Sequence, residues 1–418
     1  MPQLPHPGGE FIGSRDSIRA LVAGFLGWTL DAFDFFLMVM CLTNIGHDFG
    51  KNVEQMALAI TVTLAFRPVG ALLFGLMADR YGRRLPLMLD LVFYSIIEVL
   101  SGLAPNYQTF LVLRALFGIG MGGEWGVGAS LAMEKVPPRW RGVLSGVLQE
   151  GYAVGYLLAA AAYFVVFPRY GWRPLFFIGG LPALLALYVR FGVRESHVWE
   201  TTRQHNWEDL GRAIVSQWPT FLYLVVLMAM MNFCSHGTQD LYPTLLEKSF
   251  GYDVHHRAAL TAFTMLGALC GGIVFGLLSD RIGRRRAMAS ALLVGVAVIP
   301  AWAFARSPVL LWMGGFAIQF MVQGAWGVIP AHISELSPDS VRGFLPGFAY
   351  QCGALIAGCA PSIQARLAKK PGWGYANTMA LTALVVFIVA AIVIRLGRER
   401  QGERFGADAK GDYEAAPT

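Results

Sequence analysis

Charge is scarce in this chain. Only 14% of its 418 residues are Asp, Glu, Lys or Arg, against about a quarter in a soluble domain, which excludes an ordinary water-soluble fold. No phosphate-cradling G-x-x-x-x-G-K-S/T loop occurs, so ATP-driven work has no support in the sequence. Neither G-x-S-x-G nor H-E-x-x-H is present, which removes the simplest case for a hydrolase or a metalloprotease. The five cysteines (Cys41, Cys234, Cys270, Cys352, Cys359) fall in apolar runs without metal-ligand spacing. That excludes a zinc site and a disulfide framework, and leaves them as small packing residues. No cleavable signal peptide is expected, because the first apolar run is too long and lacks a small-residue cleavage site. It is expected to serve as an uncleaved first span.

What the chain does have is hydrocarbon. It is 55% hydrophobic, and apolar runs of about 20 residues, each long enough to cross a bilayer as a helix, recur throughout. Twelve spans are expected, near 18–45, 56–78, 86–104, 108–133, 143–167, 173–193, 218–243, 258–279, 286–305, 308–332, 343–366 and 374–396. With both termini cytoplasmic, 22 of the 33 Lys and Arg residues lie on the cytoplasmic side and 9 outside, with Arg67 and Arg114 inside spans. That asymmetry fits the positive-inside rule and a plasma (inner) membrane protein. The net charge of +6 does not point to nucleic acid, since the basic residues sit in short loops with no soluble domain to hold a duplex.

The chain is also duplicated. Gly75-Leu-Met-Ala-Asp-Arg-Tyr-Gly-Arg-Arg84 recurs as Gly276-Leu-Leu-Ser-Asp-Arg-Ile-Gly-Arg-Arg285, an offset of 201. The same shift maps Trp125-Gly126-Val127 onto Trp326-Gly327-Val328, Glu134 onto Glu335 and Arg141-Gly142 onto Arg342-Gly343. Two parallel six-helix halves follow, 18–193 and 218–396, with a polar linker at 194–217, a disordered N-terminus at 1–17 and a cytoplasmic tail at 397–418 that looks disordered. Asp79, Arg83, Glu134 and Arg141 are candidates for an ion network that holds the halves together on the cytoplasmic side. Asp280, Arg284, Glu335 and Arg342 would repeat it. The bland reading is that these basic residues only fix topology, and exposed pairs are individually weak at about 0–1 kcal/mol.

Inside the spans, polar groups are costly and mark a pathway by default. Asn232, His236, Gln239 and Asp240 share one helical face, because positions three, four and seven apart stack. Asp31 and Asp34 share a face in the first span. Two carboxylates so close cannot both ionise easily in a low dielectric, which is what a proton-coupling group needs. Arg67 is permanently charged, and its planar fork can hold a carboxylate by two parallel hydrogen bonds. It either pairs with Asp31 or Asp34 or receives a substrate carboxylate. Glu124 is a second candidate proton site, set in a span whose Gly118, Gly122 and Gly126 allow close helix approach. Asp90, Glu98 and Glu150 read as packing or gating pairs, and Arg114 as structural. Gln149, Gln319, Gln323 and Gln351 are candidates to line a cavity, and His332 is expected at the membrane interface.

The repeated G-x-x-x-D-R-x-G-R-R loop resembles the hallmark of the major facilitator superfamily. Trp28-Thr-Leu-Asp-Ala-Phe-Asp-Phe-Phe36, the Arg67-Pro-Val-Gly-Ala segment and Asn232…Ser235-His-Gly-Thr-Gln-Asp240…Thr244 resemble the sialate:proton symporter family, and within it the Jen-type lactate/pyruvate permeases. The resemblance implies an all-α membrane fold and proton-coupled uptake of small carboxylates. It also implies that His236, Gln239 and Asp240 handle substrate and proton, with Asn232 and Ser235 beside them. Gly123-Glu124-Trp125 stands closer to the sialic-acid branch, whereas the short linker stands against it.

The expectation is therefore a monomeric symporter of small monocarboxylates such as lactate or pyruvate, with a sialic acid or a dicarboxylate as the alternative. Arg67, Asn232, Ser235, His236, Gln239 and Gln351 would bind substrate, while Asp31, Asp34, Glu124 and Asp240 would carry the proton. No metal or cofactor is expected beyond the proton gradient, and the partners are substrate, protons and lipid. A membrane-embedded enzyme or a non-transporting nutrient receptor ranks below, for want of a nucleophile constellation or a long signalling tail.

Overall fold

The computed structural model describes residues 15–203 and 206–406. With no water in a bilayer core, each backbone polar group must be satisfied within its own segment, and long apolar runs accordingly become helices. Span one is Arg15–Asp48, span two Val53–Tyr81, span three Arg84–Gly102 and span four Tyr107–Lys135. Span five is broken into Arg141–Gln149 and Gly151–Tyr170, and span six into Arg173–Ile178 and Pro182–Gly192. Span seven is Trp218–Gln239 continued by Tyr242–Phe250, span eight Val254–Ile282, span nine Arg284–Ala303 and span ten Pro308–Leu336. Span twelve is Gly374–Leu396.

Eleven of the twelve expected spans are long and apolar enough to cross a membrane. The remaining one is divided at Gly358 and Cys359 into Leu345–Ala357 and Ala360–Ala368, and Pro361 follows the break. Helix starts carry polar caps. Asn52 and Gln55 form a reciprocal capping box at span two, and Asn106 and Ser307 cap spans four and ten. The turn after span two needs Gly82 (φ +101°), and its counterpart after span eight needs Gly283 (φ +97°).

Within each half, paired helices meet backbone to backbone. A methyl group on Gly118 or Gly122 of span four would collide with the carbonyl oxygens of Thr63 and Arg67 in span two. Gly267 and Gly271 of span eight meet the carbonyls of Phe316 and Phe320 in span ten in the same way. Large apolar side chains such as Val112, Phe164, Leu184, Phe191 and Val309 point outward as a lipid-facing belt.

Several expectations need correction. The first helix starts at Arg15, so residues 15–17 are ordered, while the rest of the N-terminus expected to be disordered lies outside the described residues. The linker, where one short amphipathic helix is expected, holds two, His197–Thr202 and Trp207–Ser216. Residues 399–406 are docked, not loose, and 407–418 lie outside the described residues. Only Cys41 and Cys234 are buried, and Cys270 and Cys359 are exposed on the outer surface. His332 is fully buried rather than interfacial.

Candidate functional site

The halves meet on one side of the membrane, the face that carries the Arg-rich loops after spans two and eight. Asp79 accepts hydrogen bonds from the backbone amides of Gly343 (2.7 Å) and Phe344 (2.9 Å) in the other half. Its counterpart Asp280 accepts from Gly142 (2.9 Å) and Val143 (3.1 Å). Glycine is needed at these crossings: a methyl group on Gly343 would lie 2.7 Å from the Asp79 carboxylate, and one on Gly75 would lie 2.8 Å from the Phe344 Cα. Each aspartate also takes an arginine from its own loop, Arg83 at 2.5 Å and Arg284 at 2.7 Å. These arginines reach on to Glu134 (3.0 Å) and Glu335 (3.0 Å). Burial works against the charge on Arg83, but the carboxylates of Glu134 and Asp79 more than offset it and hold the guanidinium more firmly protonated than usual.

The repeat is imperfect at the last arginine of each set. Arg141 crosses to Glu335 of the other half at 3.0 Å instead of joining Glu134. Arg342 stays in its own half, pairs with Asp339, and donates to the carbonyls of Ser334 and Ser337. One oxygen of Glu134 is therefore left without a partner. Ser145 adds a further crossing by donating to the Gly327 carbonyl (2.7 Å) and accepting from the Ala331 amide (3.0 Å).

Toward the opposite face the interior is reachable. His236 Nδ1 lies 3.0 Å from Asp240 Oδ2, and both side chains are about one-third exposed. Behind them, Gln239 donates to Gln319 (2.8 Å), Gln319 to Thr238 (3.3 Å) and Gln323 to Ser235 (3.1 Å). The polar face of span seven is thus fixed against span ten. Asn232 is buried and donates to the Met228 carbonyl of its own helix (2.8 Å), and Gln351 is buried with both amide atoms free.

Arg67 is nearly buried, and its Nε and Nη2 have no partner. Its guanidinium carbon lies 5.9 Å from the ring centroid of Tyr350 in the second half. Asp31 and Glu124 are its electrostatic neighbours in the first half, but neither hydrogen-bonds it. The in-half pair with Asp31 or Asp34 is therefore not formed in this state. Glu124 turns toward span one and occupies the space that a Gly27 side chain would fill. Asp34 lies deeper, beside Glu98 and Gly179. Asp90 is buried with both oxygens free, as are Asp31, Asp34 and Glu124. Glu98 instead pairs with Arg114 at 2.7 Å, and Phe110, Phe117 and Phe176 surround that guanidinium.

Around Arg67 stands a set of aromatic rings that residue-by-residue reasoning passed over. Trp125 packs on Tyr350 at 4.6 Å between centroids, Trp326 on Tyr350 at 5.8 Å, and Trp28 on Tyr152 at 5.4 Å. Tyr152 has both Arg67 and Asp240 as electrostatic neighbours. The signal was present in the sequence, because Trp125 and Trp326 are an exact pair under the 201-residue shift. Glu150 marks the break in span five, where its unpartnered Oε1 rests against Gly272 of the other half.

No group of three or more metal-ligating side chains occurs among the described residues.

The comparisons agree with this geometry. The xylose–proton symporter XylE, bound to 6-bromo-6-deoxy-D-glucose, superposes with a TM-score of 0.75 over 96% of this chain and 99% of that one, at 17% identity. A probable 4-methylmuconolactone transporter of Cupriavidus pinatubonensis is 32% identical, covering 93% of this chain and 92% of the relative. The sialic acid transporter NanX of Escherichia coli is 30% identical over 89% of this chain and 93% of its own. A carboxylic acid transporter protein homolog of Saccharomyces cerevisiae is 28% identical over 90% of this chain and 67% of its own. The Major Facilitator Superfamily model matches residues 24–271 and 241–416. With its two glycine-packed halves, mirrored loop carboxylates and polar interior, this chain belongs to the major facilitator superfamily, as a multi-pass membrane transporter and not an enzyme.

Proposed function

We propose that the protein is a proton-coupled symporter of small carboxylates that works by alternating access. Lactate and pyruvate are the first candidates, and a sialic acid or a dicarboxylate is the alternative. The observation that carries the reading is Arg67, a buried guanidinium with two unengaged nitrogens, its carbon 5.9 Å from the ring centroid of Tyr350 in the second half. A substrate carboxylate satisfies both nitrogens by two parallel hydrogen bonds. From the other half, Asn232, Ser235, His236, Gln239 and Gln351 meet its remaining oxygens.

Proton coupling rests on charge balance. Once Arg114 is assigned to Glu98, five buried carboxyl groups, Asp31, Asp34, Asp90, Glu124 and Glu150, share the first half's interior with Arg67 alone. An anion entering against uncompensated carboxylates is repelled, so protons must accompany it. Asp31, Asp34 and Glu124, with Asp240 across the cavity, are the proposed carriers. In this reading the basic face is cytoplasmic, in the plasma (inner) membrane with both termini inside. The Asp79 and Asp280 sets then form the gate that is closed while the site faces outward.

A second reading has an observation of its own. The rings of Trp28, Trp125, Tyr152, Tyr350 and Trp326 beside Arg67 suit a flat, unsaturated carboxylate better than a three-carbon acid. The relative named for 4-methylmuconolactone is consistent with this.

The test is uptake of radiolabelled lactate into proteoliposomes, with competition by pyruvate, acetate, succinate, sialic acid and cis,cis-muconate. We expect uptake that rises as external pH falls, stops with a protonophore, and is lost in Arg67→Ala. Full transport by Arg67→Ala would remove the anchor, and indifference to the protonophore would remove the coupling. Stronger competition by muconate than by pyruvate would select the second reading.

A further inference from the structure

The chain leaves its two halves in similar ways and then diverges. After span six, Glu195 accepts from the backbone amides of Arg83 (2.9 Å) and Arg84 (3.1 Å), at the start of span three. After span twelve, Glu399 accepts from Arg284 (3.3 Å) and Arg285 (3.0 Å), at the start of span nine. Beyond Glu195 the chain enters a short helix. Beyond Glu399 it crosses the junction between the halves. Gln401 donates to the Asp280 carbonyl (2.6 Å), the Gly402 amide to Glu335 (3.3 Å) and the Gly406 amide to Asp339 (2.7 Å). Arg141 of the first half donates to the Glu403 carbonyl (2.9 Å). Gly402 and Gly406 both have φ near +80°, where a side chain would be strained, and they bracket Phe405.

Phe405 lies between two arginines. The guanidinium carbons of Arg141 and Arg342, one from each half, are each 3.7 Å from its ring centroid. The ring also packs on a buried cluster of Ala129, Ala132, Met133 and Leu148 from the first half with Ala331 from the second. Apart from the Arg141 bond, the hydrogen bonds that tether it are to the second half, from which the segment emerges. Its contacts with Arg141, Ala129 and Leu148 therefore exist only while the basic face is shut, and a contact present in one state of an equilibrium shifts it toward that state.

We infer that residues 399–406 are an internal plug that holds the basic face closed, with Phe405 as the wedge that must leave Arg141 before that face can open. This goes beyond the proposed cargo, and its test needs no substrate.

Hydrogen–deuterium exchange of the full chain in lipid nanodiscs reads the gate directly, at the amides of Gly142, Val143, Gly343 and Phe344. Phe405→Ala removes both cation–π contacts and the ring, and should speed exchange there about tenfold. Phe405→Trp should keep protection within about twofold, because indole supports the same sandwich. A chain ended after Glu399 keeps the cap on span nine and should match or exceed Phe405→Ala. Two results overturn the inference. One is unchanged exchange in Phe405→Ala and in the shortened chain, while Asp79→Asn accelerates it. The other is acceleration of equal size deep within spans three and nine, which would mean general loosening and not release of a plug.

Discussion

Replacing Asp79 by Asn tests the gate most sharply. In the closed state its fully buried carboxylate receives two amides from the opposite half, at 2.7 and 2.9 Å, and Arg83 at 2.5 Å. The asparagine keeps one acceptor oxygen and turns an NH2 toward the other amide. One charge-assisted bond is lost and a buried N–H is left unpaired, a loss of about 2 kcal/mol. Because the bonds cross the interface, the loss falls on the closed state alone and moves the equilibrium about 30-fold toward opening. Asp280 makes the mirrored bonds at 2.9 and 3.1 Å, and its side chain is 13% exposed. Water can replace what Asp280→Asn gives up, so that change should amount to about 1 kcal/mol, or about fivefold. Spin labels at Tyr81 and Ile282, exposed equivalents at the basic ends of spans two and eight, report the opening by double electron–electron resonance. A long-distance population should grow in Asp79→Asn and grow less in Asp280→Asn. Superimposable distributions, or the reverse order, would refute the reasoning.

Other expectations follow from the same coordinates. Arg67→Lys keeps the charge but loses the planar fork, and should weaken substrate binding by about tenfold or more, read as a raised KM for uptake. Gly122→Ala sets a methyl group into the Arg67 carbonyl, and should cost about 1–3 kcal/mol, seen as a lower Tm in detergent. Gly211→Ala, in an exposed linker helix with open space around it, should instead raise stability by about 0.5–1 kcal/mol. Glu98→Gln breaks the fully buried pair with Arg114 and should destabilise by about 3–5 kcal/mol, whereas replacing both partners by Leu and Met should do less harm.

The fold was legible because its signals are periodic. Apolar runs set the spans, and one repeated loop set the two halves. The ends of these elements were less legible, because a helix in lipid stops where packing allows and not where hydropathy falls. Thus Arg15 belongs to span one, and span eleven breaks at Gly358. At the gate, residue types at matching positions revealed both networks, but not that Arg141 would cross to Glu335 while Arg342 stayed at home. Phe405, which lies between these two arginines, belongs to a tail with no periodicity to read. The aromatic rings were missed because Trp and Tyr in an apolar run read as packing residues: the shift pairs Trp125 with Trp326, but only Tyr350 against Arg67 shows that they face the junction.

The 201-residue shift also bears on how the site divides its work. Applied to span one it carries Asp31 onto Asn232 and Asp34 onto Ser235, so the two polar signatures occupy equivalent places in the two halves. It carries Arg67 onto Ala268, Asp90 onto Ala291, Glu98 onto Ile299, Arg114 onto Gly315 and Glu124 onto Ala325. Every buried charge in the first half's interior thus faces a neutral residue at the matching place in the second. The gate carboxylates Asp79 and Asp280, by contrast, are kept in both. A gate must grip from both sides with equal reach, so its symmetry serves it. A site that couples an anion to protons needs the opposite: charges close enough to sense one another, gathered in one low-dielectric bundle, and a partner bundle that contributes hydrogen bonds without competing charge. His236 and Asp240 are the exception in the second half, and they sit where solvent reaches them. If this division is right, Asn232→Asp, which restores the first half's acid at the equivalent place, should impair substrate binding more than Asn232→Ser, because it sets a second carboxylate against the incoming anion. Equal uptake by the two variants across the pH range would mean that the asymmetry has no part in coupling.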